Sequence, residues 1–336
     1  MLAVKMAEML NLKEQWETHK RLTREYDGII AELEAEESAL SSTARFDLDR
    51  WERFSSSSPS QIEGEGITAV LQGGNLLEKA AVSTTFTKGT LSAQRAEAIS
   101  GRRARDAPLL VGTTYYAAAL SLVLHSRSPM VPTFRSDIRY FELADGSGWF
   151  GGGADLTPYY LFDEDARAFH KHWKSLCGKH TGGDDALYRR LKNECDKYFF
   201  IPARGEHRGI GGIFFDDLDT ISDAATPDLG LDAAMQFAFD VSSSFMPSFL
   251  SIAKARSQLP YTPEQRHWQL LRRGRYIEFN MLYDRGVRFG LVPGGRIEAV
   301  MVSCPPLVAW DYKHTLVPGS EEERLMKILK SPQDWV

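Results

Sequence analysis

The sequence has few cysteines and no long hydrophobic run. Its 336 residues include three cysteines, Cys177, Cys195 and Cys304, and no two of them lie at a CxxC spacing. This pattern favours free thiols in a reducing compartment over a disulfide framework. No apolar run reaches about 18 residues, so the sequence predicts no membrane span.

The first ten residues, MLAVKMAEML, also lack the features of a targeting segment. They contain no long apolar stretch of the kind found in a secretory signal. They hold an acidic residue, which is unlike the acid-poor, arginine-rich composition of a transit peptide. We therefore expect a cytoplasmic protein.

A basic excess is absent as well. The formal net charge is -5 and the pI is about 6.0, which argues against nucleic acid as a partner because phosphate binders usually carry an excess of Lys and Arg. Hydrophobic residues make up 43% and charged residues 25% of the chain, so it can form a globular protein with a large core.

The general catalytic motifs are missing too. There is no HExxH, no Gly-x-Ser-x-Gly, no phosphate-binding loop and no dinucleotide fingerprint. The eight histidines include no pair at positions i and i+4, the spacing that places two ligands on one face of a helix. The sequence therefore excludes the enzyme classes that these motifs mark.

Arginine, in contrast, is concentrated between Trp268 and Pro306. The six arginines of this stretch are Arg272, Arg273, Arg275, Arg285, Arg288 and Arg296. Such a cluster in an acidic protein suggests a polyanionic ligand, although a solvated surface is the simpler interpretation for any one of them. Arg285 and Arg296 lie beside glycine, where backbone can approach a ligand and a guanidinium can grip a carboxylate.

The residue pattern predicts an α+β protein with one large sheet. A helix is expected over Ala7 to Leu40, and a hairpin over Ile67 to Leu71 and Val82 to Phe86. Thr262, Pro263 and Gln265 form the signature of a helix start. After this helix, β-favouring residues predict three strands, which are Arg275 to Asp284, Val287 to Val292 and Arg296 to Ser303.

A strand over Phe134 to Glu142 carries charge on one face. Counting by twos places Arg135, Asp137 and Arg139 together and Ile138 on the opposite face. The charged face fits a surface ladder and a ligand-facing wall equally well. The glycine run that precedes Asp155 is most simply a turn or bulge, but it would also admit something flat. From chemistry alone, the chain is an enzyme or a binder for a flat ligand that bears carboxylates.

Seven segments together resemble the oxygen-dependent coproporphyrinogen III oxidase family, over Arg45 to Val336. They are SLVLHSRSPMVPTF, IRYFE, WFGGGADLTPYY, RGIGGIFFDDLD, PYTPEQRHWQLLRRGRYIEFNMLYDRG, GGRIEAVMVSCPP and DWV. The resemblance implies an N-terminal helical extension over residues 1–44 and one catalytic domain over residues 45–336, with a large flat antiparallel sheet flanked by helices on both faces. It also implies a homodimer.

The activity that the resemblance implies belongs to haem biosynthesis. Two propionates of coproporphyrinogen III become vinyl groups, which yields protoporphyrinogen IX, carbon dioxide and hydrogen peroxide. Dioxygen is the co-substrate, and no metal or organic cofactor is expected. Two alternatives stay open, a metal-dependent dioxygenase that uses His125, His170 and an aspartate, and a tetrapyrrole carrier without catalysis.

The resemblance also implies roles for individual residues. The substrate-contacting positions are Ser121, Asp137, Ile138, Arg139, Gly294, Gly295 and Arg296. The catalytic candidates are Asp155, Asp284, Arg285 and Arg135, of which Arg135 stands where the family usually has a catalytic histidine. Because a guanidinium cannot exchange protons near neutrality, Asp155 is the expected proton acceptor. His125 and His170 are expected to be accessory or vestigial.

Overall fold

The computed structural model describes residues 2–55, 58–102, 111–221, 229–291 and 296–336. The strands within these ranges are β1 (Asp47–Ser55), β2 (Ser58–Gln72), β3 (Leu77–Thr90), β4 (Thr114–Ser126), β5 (Thr133–Leu143), β6 (Gly148–Thr157), β7 (Phe200–Ile201), β8 (Glu206–His207) and β9 (Gly212–Leu218). The helices are α1 (Leu2–Ala39), α2 (Ala93–Arg102), α3 (Asp163–His180), α4 (Ala186–Tyr198), α5 (Gly230–Ser243), α6 (Phe245–Arg256), α7 (Pro263–Leu282), α8 (Arg285–Gly290), α9 (Ile297–Met301) and α10 (Glu321–Lys330).

Seven strands form one antiparallel sheet in the order β1-β2-β3-β4-β5-β6-β9. Consecutive strands pair with their neighbours through most of this order, and β9 joins the far edge after α3 and α4. A separate short pair, β7 and β8, lies outside this sheet. The predicted α+β class with a single large antiparallel sheet is confirmed.

The two faces of the sheet differ in chemistry because side chains alternate along each strand. One face is apolar and holds the main core, where Leu120 of β4 and Ile138 of β5 are buried as direct neighbours, and Ala154 of β6 is buried on the same face. Helix α1 lies against β3 and β4, and α5 lies against β6. The opposite face carries the charged residues of β5, and α7 covers part of it through Tyr276, which packs on Ala81 and Val123.

The predicted helix over Ala7 to Leu40 is confirmed as α1, and its inner side is part of the core. Leu22, Tyr26 and Leu33 are buried in the main hydrophobic cluster. Near its end, the buried carboxylate of Glu37 accepts hydrogen bonds from the backbone of the turn between β2 and β3, including 2.6 Å from Asn75 N and 2.7 Å from Leu77 N. This contact fixes α1 to the hairpin.

The three strands predicted after Thr262 are wrong. The capping box of Thr262 and Gln265 is present, but the helix that it starts continues to Leu282. Buried side chains in α7 recur at Trp268, Leu271 or Arg272, Tyr276 and Phe279, which is helical spacing. The β-branched and aromatic residues in this stretch therefore belong to the buried face of a helix, not to strands.

The residues that follow α7 form two short helices, α8 and α9, rather than the second and third strands. Part of the second predicted strand, at residue 292, lies outside the described residues. Within the described part of the chain, no helix combines the length and apolar character needed to cross a membrane.

Candidate active site

A row of residues crosses the second face of the sheet, one from each strand, and all of them except Phe214 at one end are small or polar. In register, the row is Asp49, Thr68, Ser83, Ser121, Asp137, Gly153 and Phe214. The predicted contacts Ser121 and Asp137 are direct neighbours in this row. Short side chains leave open space above the strands, so the face can accommodate a ligand.

A cavity of about 170 Å³ lies over the middle of this row, beneath α8 and α9. Ser83, Ser121 and Arg135 line it from the sheet, and Asp284 and Val300 line it from the helical side. The cavity therefore brings together three of the residues expected at the active site, from three separate parts of the chain.

Arg135 supplies a positively charged side chain to the lining of this cavity. It makes no hydrogen bond or ion pair with any residue that the structure describes. Burial lowers the pKa of Arg135, but Tyr276 and three nearby carboxylates outweigh burial and raise the pKa above its ordinary value. The carboxylates belong to Asp137, Asp155 and Asp284. A charged guanidinium without a bonded partner is a ready receptor for a carboxylate.

Asp155 lies directly opposite Arg135 in the pairing of β5 with β6. Its carboxylate is 3% exposed and accepts two hydrogen bonds from Arg208, at 2.6 Å from Nη2 and 3.3 Å from Nε. Burial raises the pKa of Asp155, and the charges of Arg208 and Arg135 offset part of that effect. Arg208, which no sequence motif marked as a site residue, also donates to Asn280 Oδ1 at 3.1 Å.

Asp284 has a structural role as well as a position in the cavity. It is the N-cap of α8, where its Oδ1 accepts a hydrogen bond from Val287 N at 2.8 Å. Since a carboxylate has further lone pairs, the same side chain keeps acceptor capacity toward the cavity. The turn and the functional interpretation of this residue are therefore compatible.

Arg139 continues the charged face away from the cavity. It pairs with Asp137 on its own strand and with Asp216 of β9 at 2.9 Å. Its guanidinium extends over Gly151 of β6, where a Cβ would come within 2.6 Å of Arg139 Nε. The register of β6 with β9 shifts between Phe150 and Gly152, so the glycine run lies at a bulge, as predicted. One function of the glycine run is to make room for Arg139.

Comparison with known proteins agrees with this arrangement. A family model described as coproporphyrinogen III oxidase matches residues 17–335. The chain belongs to the coproporphyrinogen III oxidase family. Among relatives, it is 43% identical to the oxygen-dependent coproporphyrinogen-III oxidase of Drosophila melanogaster over 311 residues, which is 90% of this chain and 74% of the relative.

Two further relatives show how length varies in the family. The mitochondrial human enzyme of the same name is 42% identical, over 87% of this chain and 62% of the relative. The enzyme of Francisella tularensis is 37% identical, over 94% of this chain and 96% of the relative. The chain therefore spans less than two thirds of the human protein and nearly all of the bacterial one.

Arg285, a catalytic candidate by the family resemblance, and Arg296, a substrate-contacting candidate, lie toward opposite edges of the sheet. Arg285 donates to Asp216 of β9 at 2.8 Å and stacks its guanidinium 4.8 Å from the ring centre of Tyr198. Arg296 pairs with Asp49 of β1, which is the other edge strand. Six strand spacings separate the two edges, roughly 29 Å. Gly294 and Gly295 lie outside the described residues.

Ile138 lies on the apolar face, where it is fully buried in the main core. Its side chain therefore points away from the cavity, and a contact of this residue with substrate would have to be made by its backbone. Its neighbours Asp137 and Arg139 do lie on the polar face. The alternation of a strand explains the difference, because adjacent residues point to opposite faces.

The two histidines of the family's motifs are buried and fully engaged. In His125, Nδ1 lies 3.2 Å from Thr133 Oγ1 and Nε2 lies 2.9 Å from Ser303 O. In His170, Nδ1 lies 2.9 Å from Tyr188 Oη and Nε2 lies 3.0 Å from Ile210 O. Neither ring keeps a nitrogen for another ligand. Among the described residues, no three histidines, cysteines or acids are grouped to hold a metal ion.

The arginines of α7 are structural. Arg272 pairs with Glu206 at 2.7 Å, Arg273 with Glu78 at 2.6 Å and Arg275 with Glu278 at 2.7 Å. The simpler interpretation, a solvated surface, is wrong for Arg272 and Arg273, because both are buried and each pairs with a carboxylate. Nothing is described of the Arg288 side chain. The charge that is available in the cavity comes from Arg135, outside the arginine-rich stretch.

Proposed function

We propose that the chain catalyses the oxygen-dependent conversion of coproporphyrinogen III to protoporphyrinogen IX in haem biosynthesis. Each of two propionates loses carbon dioxide, one proton and two electrons, and becomes a vinyl group. For each propionate, the two electrons, this proton and one proton from solvent reduce one dioxygen to hydrogen peroxide. Membership of the family supports this activity, since relatives over most of the chain are named as oxygen-dependent coproporphyrinogen-III oxidases.

The observation that carries the proposal is the guanidinium of Arg135 in the cavity. A propionate bound there by two charge-assisted hydrogen bonds lies beside Ser121 and Asp284. Asp137, which is the next residue after Arg135 on the same face of β5, lies opposite Ser121. Aspartates suit the pyrrole N–H groups of a tetrapyrrole, because a carboxylate accepts hydrogen bonds from them. Arg135 thus fixes the reacting side chain and the acids face the ring.

Asp155 is the proposed proton acceptor. It lies opposite Arg135 in register, and burial raises its pKa, which improves a carboxylate as a base near neutral pH. Arg208 holds the carboxylate in one orientation. Asp284, which lines the cavity, is the alternative acceptor. Asparagine variants of Asp155 and Asp284 distinguish these two candidates.

Neither a metal nor an organic cofactor takes part in the proposed reaction, because the electron-rich pyrrole ring can itself react with dioxygen. Chelator-treated protein is expected to keep its activity. Activity that is lost on chelation and returns with one specific ion would contradict this part of the proposal.

The decisive experiment compares aerobic and anaerobic incubation with coproporphyrinogen III. Under air we expect protoporphyrinogen, with one dioxygen consumed and one hydrogen peroxide formed for each carbon dioxide released. Without dioxygen we expect bound but unchanged substrate. A carrier without catalysis would bind substrate equally in both conditions and consume no dioxygen.

The assembly and location are also part of the proposal. The chain acts as a homodimer in the cytoplasm, without a nucleic-acid partner, and residues 1–44 form an extension to the catalytic domain. The proposed location follows the bacterial Francisella relatives, whereas the human relative is named as mitochondrial. Light-scattering mass checks the dimer, and cell fractionation checks the location.

A further inference from the structure

The segment that follows α9 is held to the sheet through two consecutive backbone carbonyls. Ser303 O lies 2.9 Å from His125 Nε2. The next carbonyl, Cys304 O, accepts a hydrogen bond from Lys79 Nζ at 2.9 Å. Pro305 comes next and has no N–H, so a helix cannot continue past this point. Carbonyls at the end of a helix have no partner within it, and here two side chains of the sheet face them.

These two side chains are direct neighbours in the sheet. His125 of β4 pairs in register with Lys79 of β3. Both point to the face that carries the cavity, because His125 and the cavity residue Ser121 are separated by an even number of residues on one strand. Ser303 itself lines the cavity, as does Val300 of α9. The two side chains therefore hold one wall of the cavity against the sheet.

The contacts of His125 determine which ring nitrogen carries the hydrogen. Ser303 O can only accept, so Nε2 is the donor and, in a neutral ring, Nδ1 is the acceptor. Thr133 Oγ1, which lies 3.2 Å from Nδ1, must then donate its only hydrogen to the ring. Tyr159 Oη lies 2.6 Å from Thr133 Oγ1 and donates to that hydroxyl in turn. The bonds thus form one directed chain that starts at Tyr159 and ends at Ser303.

The ring of His125 is neutral at the pH of the reaction. Burial lowers its pKa well below the ordinary value, and the positive charges that face it, those of Arg273, Lys79 and Arg135, lower it further. The three side chains of the hydrogen-bonded chain are at most 1% exposed, so water does not compete for these bonds. A neutral ring with both nitrogens bonded can hold a backbone group in place but has no site left for proton exchange with substrate.

The other end of α9 is attached at the surface. Arg296 precedes α9 and pairs with Asp49, and the two side chains are 38% and 57% exposed. Because an exposed ion pair contributes little, the buried contacts at Ser303 are the firmer attachment. Helix α9 also packs closely on α8, where a Cβ at Gly290 would come within 2.5 Å of Val300 Cγ2. A shift of α9 would therefore displace α8 as well, which also lines the cavity.

We propose that His125 and Lys79 are positioning residues for the reaction, which hold Ser303 and the end of α9 at a fixed distance from the sheet and so set the shape of the substrate cavity. This inference rests on the proposed function and gives the histidine a role other than proton transfer or metal binding. Loss of either side chain frees one carbonyl and loosens this wall of the cavity. Substrate must then order the wall as it binds, which lowers affinity.

Matched substitutions test this role by steady-state kinetics on coproporphyrinogen III. His125→Asn places an amide near the Nδ1 position and loses the bond to Ser303 O, whereas His125→Gln carries an N–H to the Nε2 position. The Asn variant is expected to raise KM about threefold to tenfold with a smaller change in kcat, and the Gln variant to keep KM within about twofold of wild type. Lys79→Met should raise KM in the same way, and Lys79→Arg, which keeps a donor, should not.

His170→Asn is the control for lost stability. His170 is equally buried and has the same kinds of partner, a hydroxyl at Nδ1 and a backbone oxygen at Nε2, but it does not line the cavity. This variant should lower the urea midpoint and leave KM unchanged. If His125→Asn does not fold, Lys79→Met decides the matter, because Lys79 is only partly buried.

Hydrogen exchange measures the same attachment without substrate. Amides of residues 297–304 should exchange faster in His125→Asn and Lys79→Met than in wild type, and His170→Asn should not change them. An active protein in which the first two variants leave KM unchanged would overturn the positioning role and leave the proposed function intact. A wild-type protein that does not convert coproporphyrinogen III would contradict the proposed function, and unchanged exchange in the first two variants would then show that they do not hold α9.

Discussion

Arg208 donates two hydrogen bonds to the carboxylate of Asp155, and both side chains are almost completely buried. The guanidinium also lies 4.0 Å from the ring centre of Phe199 and 4.8 Å from that of Tyr276. A buried ion pair of this kind holds its members in a fixed geometry, and removing one member leaves the other charge without compensation. Asp155 therefore has two roles to separate, one in stability and one in the proposed chemistry.

Replacing Asp155 by asparagine is expected to lower turnover about a hundredfold or more, because the proposed proton acceptor is lost. The same change leaves Arg208 buried without a counter-ion and is expected to destabilise the fold by about 3–5 kcal/mol. Steady-state kinetics and urea denaturation measure the two effects.

The double variant Asp155→Asn/Arg208→Gln provides the control. It removes both charges, so most of the lost stability should return while turnover stays low. If turnover returns together with stability, Asp155 has only a structural role. In that case Asp284→Asn should show the catalytic loss instead.

Arg135 is expected to bind a substrate carboxylate without exchanging protons. Arg135→Gln should raise KM about tenfold to a hundredfold, since it removes a charge-assisted contact worth about 1.5–3 kcal/mol. Arg135→His should stay active, because an imidazole can also contact a carboxylate. Steady-state kinetics on coproporphyrinogen III measures both. An Arg135→Gln enzyme with unchanged KM would remove this residue from the binding site.

Arg285 and Arg296 are expected to bind propionates at the two ends of the polar face. Each is already paired with an aspartate, Asp216 or Asp49, so substrate binding must exchange one carboxylate for another. Alanine at either position should reduce kcat/KM about tenfold to a hundredfold. A substrate that lacks the matching propionate should be affected far less.

Arg204 offers a matched control for these two residues. It is a partly exposed arginine that also pairs with a carboxylate, that of Glu278 at 2.6 Å, away from the cavity. Arg204→Ala should leave the kinetics of both substrates unchanged. Equal losses with the full and the shortened substrate for Arg285→Ala or Arg296→Ala would mean that these arginines only hold α8 and α9 in place.

The sequence pattern identified three strands of the sheet, β2, β3 and β5. In β5, counting by twos separated Arg135 and Asp137 from Ile138, and the structure confirms this separation. Local residue preference failed in α7. Tyr276, Ile277 and Phe279 favour a strand, but they lie on the helix that begins after the capping box at Thr262. Tertiary packing on both sides of α7 decides its structure over local preference.

The site residues were only partly accessible to sequence reasoning. Arg208 lies next to a glycine in the RGIGG segment, and nothing local shows that its charge is buried against Asp155, 53 residues earlier. The arginine cluster of α7 drew attention away from Arg135, because the pairing of Arg272 with Glu206 and of Arg273 with Glu78 depends on contacts distant in sequence. A helical count of the cluster would have placed Arg272 and Trp268 on one side, a signal for burial.

Stability should depend on pH through His170. Burial, with help from Lys192, lowers the pKa of His170 to about 3 in the folded protein. In the unfolded chain the pKa is about 6.5, so between these values the unfolded state binds one more proton than the folded state. The free energy of unfolding should therefore fall as pH decreases from about 6.5, by up to about 1.4 kcal/mol per pH unit. His170→Gln should flatten this slope, and His267→Gln, at an exposed histidine, should not.

Activity should show no histidine-like ionisation. Burial lowers the pKa of His125 well below its ordinary value, and nearby Arg273 adds to this, so the ring stays neutral near pH 6.5. His170 stays neutral for the same reason, and Arg135 stays charged, so none of the three changes protonation near pH 6.5. The rate profile of kcat/KM against pH, measured above the pH at which unfolding begins, should therefore lack a limb near about pH 6.5. A limb there that disappears in His125→Asn or His170→Asn would show that a histidine has taken over proton transfer and that Asp155 is not the acceptor.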